Sequence, residues 1–327
     1  MGLSHEGSLG LALRFIEAAK LSGADMVKFQ YHIPEFESSL SEKFRINFSL
    51  QDKTRWDYWK RTSFSKAEWQ IIINKCRSES IDFCVSVFSV QAIQIMLELG
   101  VENLKLGSGD LNNLELQEFL KKWSGNLFIS TGMSTYDEID QAINAFKFQL
   151  GKGRLTVFQC TSKYPTPLNE VGLNVVSEIK NRWGVRVGLS DHTQGTDSSI
   201  AAICHGVQAI EKHITFSFDM FGPDVTSSIN FDGLRSLVKF RDNYNSIRNK
   251  VDKNSQAREL NAERKIFGRS LGLIRAFNKG EIVSKSDFCL RKPAGGLGWN
   301  DRQVIIGRKV NRSIELGELL KLEFFDV

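Results

Sequence analysis

Long apolar runs are absent from this chain of 327 residues, and cysteine is scarce. No apolar stretch approaches the ~18 residues of a membrane-spanning helix, so we expect no membrane span. The five cysteines are scattered without a Cys-x-x-Cys pair, which argues against a disulfide framework or a zinc knuckle. The first residues also lack the basic flank and apolar core of a secretory signal. We therefore expect a cytoplasmic protein.

A large charge excess of one sign is also missing, because the net charge is only +5. The imbalance lies in residues 245–327, which carry 17 Lys and Arg against 10 Asp and Glu. These positive residues are dispersed singly with few aromatics between them, so the pattern does not favour nucleic-acid binding. Anionic substrates or an acidic partner subunit account for the asymmetry equally well.

Short apolar, β-branched runs alternate with longer amphipathic stretches along the first 250 residues. Strands that alternate with helices indicate βαβ units and a parallel sheet. The runs are mostly continuous rather than alternating, as in strands buried on both faces. The predicted strands are 24–29, 81–88, 103–106, 126–131, 155–161, 185–189 and 209–214, and the predicted helices include 9–21, 66–78, 90–99 and 135–148.

Seven strands are one short of a closed eight-stranded barrel. Residues 1–8 have the character of a loop that leads into the helix 9–21 with no strand before it, so we expect the first strand to lie upstream of Met1. The predicted fold is then a (β/α)8 TIM barrel that lacks its first strand in this sequence. An open doubly wound sheet is disfavoured, because no Gly-x-Gly-x-x-Gly fingerprint follows any strand.

Three further segments complete the predicted organisation. Residues 31–65 form a long loop, and loops of this length commonly act as lids, binding surfaces or subunit contacts. Residues 248–268 are polar and have the character of a linker. The chain is therefore divided into a barrel domain over 1–247, this linker, and a small strand-and-turn-rich domain over 269–327.

Polar side chains mark the carboxyl ends of six predicted strands, where the active site of a (β/α)8 barrel lies. So many polar endings are hard to assign to chance, and they predict an active site there. They are Lys28-Phe29-Gln30, Lys105 before Gly107-Ser108-Gly109-Asp110, Ser130-Thr131-Gly132-Met133, Cys160-Thr161-Ser162-Lys163-Tyr164-Pro165, Ser190-Asp191-His192 and Glu211-Lys212-His213.

Lysines inside strands need an anionic partner or a path to solvent. A phosphate or carboxylate bound across the barrel mouth would pair with Lys28 and Lys105. The hydroxyls of Ser108, Ser130 and Ser162 would assist it by donating hydrogen bonds. The pattern therefore predicts an anion-binding site.

Two histidines, His192 and His213, end neighbouring strands, so their imidazoles can converge on one divalent metal. Two histidines with oxygen ligands suit Mn²⁺, Mg²⁺ or Zn²⁺. Asp191 and Glu211 beside them are candidates for supporting partners or additional ligands. The histidines that we expect to be structural are His32 and His205.

Taken in order, these motifs resemble those of the N-acetylneuraminate (sialic acid) synthases and their legionaminate-type relatives. The resemblance runs along essentially the whole chain, and residues 269–327 are similar to the antifreeze-like (SAF, β-clip) domain that follows the barrel in that family. Besides the strand endings given above, the matching segments are His5-Glu6-Gly7, Gly23-Ala24-Asp25-Met26-Val27 and Gly222-Pro223-Asp224.

The resemblance implies an enzyme that condenses phosphoenolpyruvate with the open-chain aldehyde of an N-acylmannosamine-type sugar and releases phosphate, for cell-surface carbohydrate biosynthesis. It implies that His192 and His213 hold a metal, Mn²⁺ or Mg²⁺, which polarises the aldehyde. It also implies a domain-swapped homodimer, since the SAF domain serves the neighbouring subunit. The phosphoenolpyruvate would be bound by Lys28, Lys105, Ser130, Ser162 and Ser190, and the sugar by Gln30, Asp110, Tyr164, Asp224 and the pair Arg291 and Lys292.

Several positions depart from the family pattern. The family's first strand ends in Ala-Glu-Ile-Gly and carries a catalytic glutamate, and Met1 comes immediately after that position, so we expect an upstream frame that encodes it. Asp110 is one methylene shorter than the usual glutamate. Lys292 stands where the family has an arginine before proline, with Arg291 one place earlier, and the two side chains are not equivalent. Gly222-Pro223-Asp224 favours neuraminate- or legionaminate-like sugars over pseudaminate-like ones.

Two other functions stay open. A metal-dependent aldolase or sugar-phosphate isomerase on the same barrel would not release phosphate from phosphoenolpyruvate, and it would leave the SAF domain unexplained. A catalytically inactive sugar-binding protein is favoured by the missing glutamate and by Asp110 and Lys292. The retention of both lysines and both histidines argues against it.

Overall fold

The computed structural model describes residues 1–326 and divides the chain into two compact units, Met1–Arg248 and a second that begins at Asn249. The first unit contains an eight-stranded parallel sheet whose strands are hydrogen-bonded in chain order. These strands are β1 (Met26–Tyr31), β2 (Asp82–Val87), β3 (Asn103–Leu106), β4 (Asn126–Ser130), β5 (Leu155–Cys160), β6 (Arg186–Asp191), β7 (Ala209–Ile214) and β8 (Ser228–Ile229).

Helices connect the strands and bury their apolar faces against the sheet. Trp69, for example, lies on the third helix and is fully buried against Phe29 and Phe83 of the first two strands. The helices of this unit are α1 (Leu9–Leu21), α2 (Arg55–Thr62), α3 (Lys66–Ser78), α4 (Val90–Glu98), α5 (Leu114–Leu120), α6 (Tyr136–Ala145), α7 (Lys147–Gly151), α8 (Leu173–Trp183), α9 (Asp197–Cys204) and α10 (Phe231–Ile247).

No helix in the described residues 1–326 has the length and apolarity needed to cross a bilayer.

The sheet curls until its first and seventh strands approach each other. Lys28 Nζ on β1 lies 3.1 Å from Glu211 Oε1 on β7, although five strands lie between them in the hydrogen-bonded order. Successive side chains of a strand point to opposite faces, so the curl creates an inner face and an outer face on every strand. The parallel α/β sheet predicted from the sequence is confirmed.

The strand predicted upstream of Met1 stays a prediction. Gly2 forms an isolated parallel bridge with Phe29, on the edge of β1 that does not pair with β2. At the other edge, the eighth strand, Ser228–Ile229, is one that the sequence did not indicate; it pairs with the end of β7. A strand of two residues is too short to leave a recognisable apolar period.

The expectation of an uninterrupted loop over residues 31–65 is wrong, because helix α2 lies within it. Thr54 and Asp57 form a reciprocal capping box that starts this helix. Tyr58 and Trp59 of α2 are buried rather than displayed to solvent. The remaining irregular part, which we term the mouth loop, comprises residues 37–54.

The second unit is small and has a core of its own. Strands β9 (Ser270–Leu273) and β10 (Phe288–Arg291) pair antiparallel, and residues such as Phe277 and Val310 are buried behind them. Its helices are α11 (Lys253–Glu259), α12 (Asn261–Phe267) and α13 (Arg302–Ile305), of which the first two lie in the segment predicted as a linker. The assignment of this unit as an SAF domain stays a prediction.

Candidate active site

Two lysines share one carboxylate on the inner face of the sheet. Lys28 Nζ and Lys105 Nζ each lie 3.1 Å from an oxygen of Glu211, and Lys105 is only 1% exposed. Burial alone would raise the pKa of Glu211, but the ammonium groups of Lys105 and Lys28 hold it well below its usual range. Burial lowers the pKa of Lys105, whereas Glu211 outweighs burial and raises that of Lys28. With both lysines charged, this cationic cluster carries one positive charge in excess.

Hydroxyl groups surround the cationic cluster. Ser190 Oγ donates to Glu211 Oε1 at 3.1 Å, and Lys28 Nζ donates to Ser86 Oγ at 3.3 Å. The sequence analysis did not identify Ser86 as a residue of the site. The register of the sheet places it beside Lys105, and only knowledge of that register would have found it.

A second group of hydroxyls converges on Gly132, directly after β4. The Gly132 N–H donates to Ser108 Oγ at 3.0 Å. A Cβ at this glycine would overlap Ser162 Oγ, and it would lie 2.9 Å from Ser108 Oγ and 3.1 Å from Cys160 Sγ. Only a residue without a side chain leaves these groups together. Ser130, two residues earlier, is also buried.

The two histidines predicted as metal ligands lie side by side. The ring centroids of His192 and His213 are 5.5 Å apart, and the Tyr164 ring lies 4.1 Å from His192. Burial, with a smaller effect of the neighbouring histidine, lowers the pKa of His192 to about 4, and burial lowers that of His213 to about 3. Both imidazoles are therefore neutral near pH 7, which is the form that binds metals.

The donor set fits a divalent cation that takes two ligands from the protein. Within residues 1–326, His213 Nδ1 is buried without a hydrogen-bond partner, and Asp224 Oδ2 lies 3.8 Å away from it. His192 Nδ1 lies 3.1 Å from the carbonyl oxygen of Thr161, which leaves Nε2 available. The described residues contain no cluster of three or more His, Cys, Asp and Glu side chains with metal-binding geometry. Any further ligands would therefore come from substrate or water.

Several of the predicted sugar-binding residues adjoin the histidines. An ideal Cβ on Gly2 would lie 3.5 Å from Gln30 Oε1 and 3.6 Å from both Asp224 Oδ2 and His213 Cε1, so these side chains surround one small space. Within residues 1–326, Asp110 forms no hydrogen bond or ion pair with these side chains. It follows β3 without an ion-pair partner in the described residues, and burial raises its pKa to about 6.

The expectation that Asp191 supports the metal site is wrong. Its carboxylate accepts from Ser199 Oγ at 2.6 Å and from the Thr193 N–H at 2.8 Å, and it lies 3.1 Å from Lys212 Nζ. Asp191 and Lys212 occupy the outer face because they alternate with the inner-facing side chains of β6 and β7. Glu211, the other candidate partner, does face inward, but it pairs with the lysines.

The two remaining residues predicted to bind the sugar, Arg291 and Lys292, lie in the second unit, and their side chains differ in exposure and in hydrogen bonding. The Arg291 guanidinium donates to the carbonyl oxygen of Leu273 from Nε and Nη2, at 3.3 and 3.1 Å. Lys292 is exposed, with its Nζ 5.3 Å from the centroid of the Phe267 ring. Lys292 is thus the more exposed of the two, whereas two of the N–H groups of Arg291 are already engaged.

Comparisons with known proteins identify the family of this chain. The model of the NeuB family matches residues 15–253, and the chain belongs to this family. N,N'-diacetyllegionaminic acid synthase of Campylobacter jejuni is 30% identical to it, over 98% of this chain and 97% of that protein. Pseudaminic acid synthase of the same species is 29% identical, over 98% and 94%. These two identities are too close to separate legionaminate from pseudaminate types.

A solved structure extends the similarity to the fold. The crystal structure of N-acetylneuraminic acid synthetase from Leptospira borgpetersenii, in complex with citrate, superposes with a TM-score of 0.68 at 27% identity. The match covers 80% of this chain and 88% of that one. The curled parallel sheet with its surrounding helices is therefore the fold of a sialic acid synthase.

Proposed function

We propose that this protein is a nonulosonic acid synthase that condenses phosphoenolpyruvate with the open-chain aldehyde of an N-acylmannosamine-type sugar and releases phosphate. The observation that carries the proposal is the cationic cluster, in which Lys28 and Lys105 share the single carboxylate of Glu211. A buried cation without full compensation is costly, so this cluster needs an anion from outside the protein.

Phosphoenolpyruvate would meet that need with its carboxylate and phosphate. Lys28 and Lys105 would supply the positive charge, and Ser108 and Ser162 would donate hydrogen bonds to the oxygens. Ser190, whose hydroxyl donates to Glu211 in the structure, would turn its hydrogen to the ligand. Ser130 is buried at the end of β4 and is the remaining hydroxyl that we assign to this subsite. Binding in a site shielded from water strengthens these interactions, because the local dielectric is low.

The reaction forms one carbon–carbon bond, and on one carbon it replaces the bond to the phosphate oxygen by a bond to the oxygen of water. The methylene carbon of phosphoenolpyruvate attacks the aldehyde carbon of the sugar, and the aldehyde oxygen becomes a hydroxyl by taking up a proton. Water then adds to the carbon that bears the phosphate, and its oxygen remains there as the ketone oxygen when phosphate departs. Of the two protons of water, one balances the proton taken up by the aldehyde oxygen and the other leaves with the phosphate. The lysines hold the phosphate and carboxylate in place while positive charge develops between them.

His192 and His213 would hold Mn²⁺ or Mg²⁺, which would act as a Lewis acid toward the aldehyde oxygen. Gln30, Tyr164 and Asp224 adjoin these histidines and would orient the sugar. We further propose that the protein forms a domain-swapped homodimer, in which Arg291 or Lys292 of an SAF-type second unit contributes to the sugar site of the neighbouring subunit. We also propose that the protein is cytoplasmic.

The first experiment is release of inorganic phosphate from phosphoenolpyruvate, with N-acetylmannosamine and related N-acyl sugars in the presence of Mn²⁺. The same assay is run on a version extended by the predicted upstream strand. Sugar-dependent release that chelation abolishes supports the proposal. Release from neither version with any sugar, while calorimetry still detects sugar binding, would replace it with a non-catalytic sugar-binding protein. Aldol cleavage or isomerisation of a sugar phosphate without phosphate release would indicate the aldolase or isomerase instead.

A further inference from the structure

The mouth loop carries an arginine that reaches the proposed sugar subsite. The guanidinium of Arg45 lies 4.0 Å above the ring of Tyr164, within the range of a cation–π contact. Its Nη2 donates to Asp224 Oδ1 and to the carbonyl oxygen of Pro223, each at 3.3 Å. Nearly 180 residues separate Arg45 from Asp224 in the sequence, so nothing local to the chain suggests this contact.

Neighbouring contacts fix the position of this part of the loop. Phe48, three residues after Arg45, packs edge-on against Phe221 at 5.4 Å and against Tyr58 at 5.0 Å. Phe221 precedes the segment that contains Asp224, so loop and subsite are joined by apolar packing as well as by the ion pair. The arginine is thus held over the subsite by its surroundings.

The guanidinium of Arg45 also keeps unused hydrogen-bonding capacity. A guanidinium has five N–H donors, and both hydrogen bonds of Arg45 leave from Nη2. Within residues 1–326 its Nε and Nη1 groups have no acceptor, and its side chain remains 41% exposed. These N–H groups are therefore open to solvent and to a ligand.

We infer that Arg45 is a specificity-determining residue of the sugar subsite, whose free N–H groups donate to oxygen atoms of the sugar substrate. The inference rests on the proposed function, because it assigns Tyr164 and Asp224 to the sugar. Asp224 balances the charge of Arg45, so the pair presents donors without excess charge, as suits the hydroxyl and carbonyl oxygens of a neutral N-acyl sugar. Within residues 1–326 Arg45 forms no hydrogen bond or ion pair with the cationic cluster, so we expect it to act on the sugar rather than on phosphoenolpyruvate.

The test compares R45A with R45K and with K43A in the full chain, using the phosphate-release assay. Lys43 is an exposed residue of the same loop, so K43A removes an equal charge from it. A hydrogen bond from a charged group predicts that R45A raises the KM for the sugar roughly 10- to 100-fold. The KM for phosphoenolpyruvate should stay within about twofold, and R45K should lie between wild type and R45A, since a lysine keeps the charge but loses the planar donors.

The outcomes separate this inference from the proposed function. If wild type releases phosphate and R45A leaves the sugar KM unchanged, Arg45 is not a sugar contact. If R45A raises both KM values equally and lowers the melting temperature, its role is to hold the loop. If K43A matches R45A, loop charge rather than contact is responsible, which also overturns the inference. If wild type releases no phosphate with any sugar, the proposed function fails. Direct sugar binding to R45A and to wild type is then compared by calorimetry. Equal affinities would overturn the inference as well.

Discussion

Strand β7 contributes to two buried ion-pair groups, one on each face of the sheet, and the two groups are built differently. On the outer face, Asp191 and Lys212 form a one-to-one ion pair, and the carboxylate of Asp191 also accepts hydrogen bonds from Ser199 and Thr193. On the inner face, Glu211 serves two lysines and leaves one positive charge in excess. The charges of the outer pair balance without a ligand, whereas those of the cationic cluster do not. Charge balance, more than burial, therefore distinguishes the structural ion pair from the proposed binding site.

The strongest test of this contrast is loss of a lysine from the inner face. K105M should lower kcat/KM for phosphoenolpyruvate by about 10³-fold or more, because it removes a desolvated cation from the anion site. Its melting temperature should change little or rise, since Glu211 keeps Lys28 as a partner. Steady-state phosphate release and thermal unfolding measure the two effects. An active K105M would show that the excess charge has no catalytic use.

The matched change on the outer face should do the reverse. K212M leaves Asp191 buried without a cation, and such a loss costs about 3–5 kcal/mol of unfolding free energy. Chemical denaturation followed by circular dichroism measures this cost. The double variant D191N/K212M should recover much of the stability, because no buried charge remains. If K212M is as stable as wild type, the pair of Asp191 and Lys212 does not stabilise the fold.

Ligand-induced stabilisation should depend on the inner face alone. Phosphoenolpyruvate at 100 times its Kd should stabilise wild type by about 2.7 kcal/mol, which raises the melting temperature by several degrees. K212M should melt lower but gain a similar increment from the ligand. K105M should gain little. Equal increments for K105M and wild type would mean that phosphoenolpyruvate binds elsewhere.

A smaller effect is expected from Asp110, a half-buried carboxyl that has no ion-pair partner in the described residues. Burial raises its pKa to about 6 from an ordinary 3.8, so the folded state holds this proton more tightly than the unfolded state. Its contribution to stability is then present below about pH 4 and is lost as the pH rises to about 6. A tenfold change in proton affinity is about 1.4 kcal/mol, and since solvent reaches part of this carboxyl we expect about 1–2 kcal/mol in all.

The variant D110N isolates this contribution. The stability of wild type relative to D110N should fall between pH 4 and pH 6.5 in denaturant titrations. Titrations of the other carboxyls cancel in the difference between the two proteins. A difference that does not change with pH would place the pKa of Asp110 at its ordinary value.

Most of the sheet was predictable because its strands are buried on both faces and stand out as apolar runs. The predicted strand 103–106 coincides with β3, and the predicted strand 209–214 coincides with β7, although most of β7 is only half-buried. The predicted end of β6 fell short, since Ser190 and Asp191 are poor strand formers. They join the strand because they pair with Glu211 and Lys212 of β7, and such tertiary pairing is not visible in one local window.

The site was predictable to the extent that its residues end strands. Lys28, Lys105, His192 and His213 were identified in this way, and the structure brings each lysine and histidine to the inner face. The outward position of Asp191 could have been deduced, because a residue between Ser190 and His192 in an extended strand faces away from both. Arg45 could not, since its contact depends on how a long irregular loop crosses the molecule.

The alternation on β7 also limits how the gene can change. Removing one codon within this strand would shift its register by one residue, so that Lys212 would turn inward and Glu211 outward. A third ammonium group would then replace the carboxylate between Lys28 and Lys105. A single-codon deletion here would thus reverse the sign of the cluster's central charge. Lineages of this protein should vary in length in the mouth loop and keep the spacing of β7 constant.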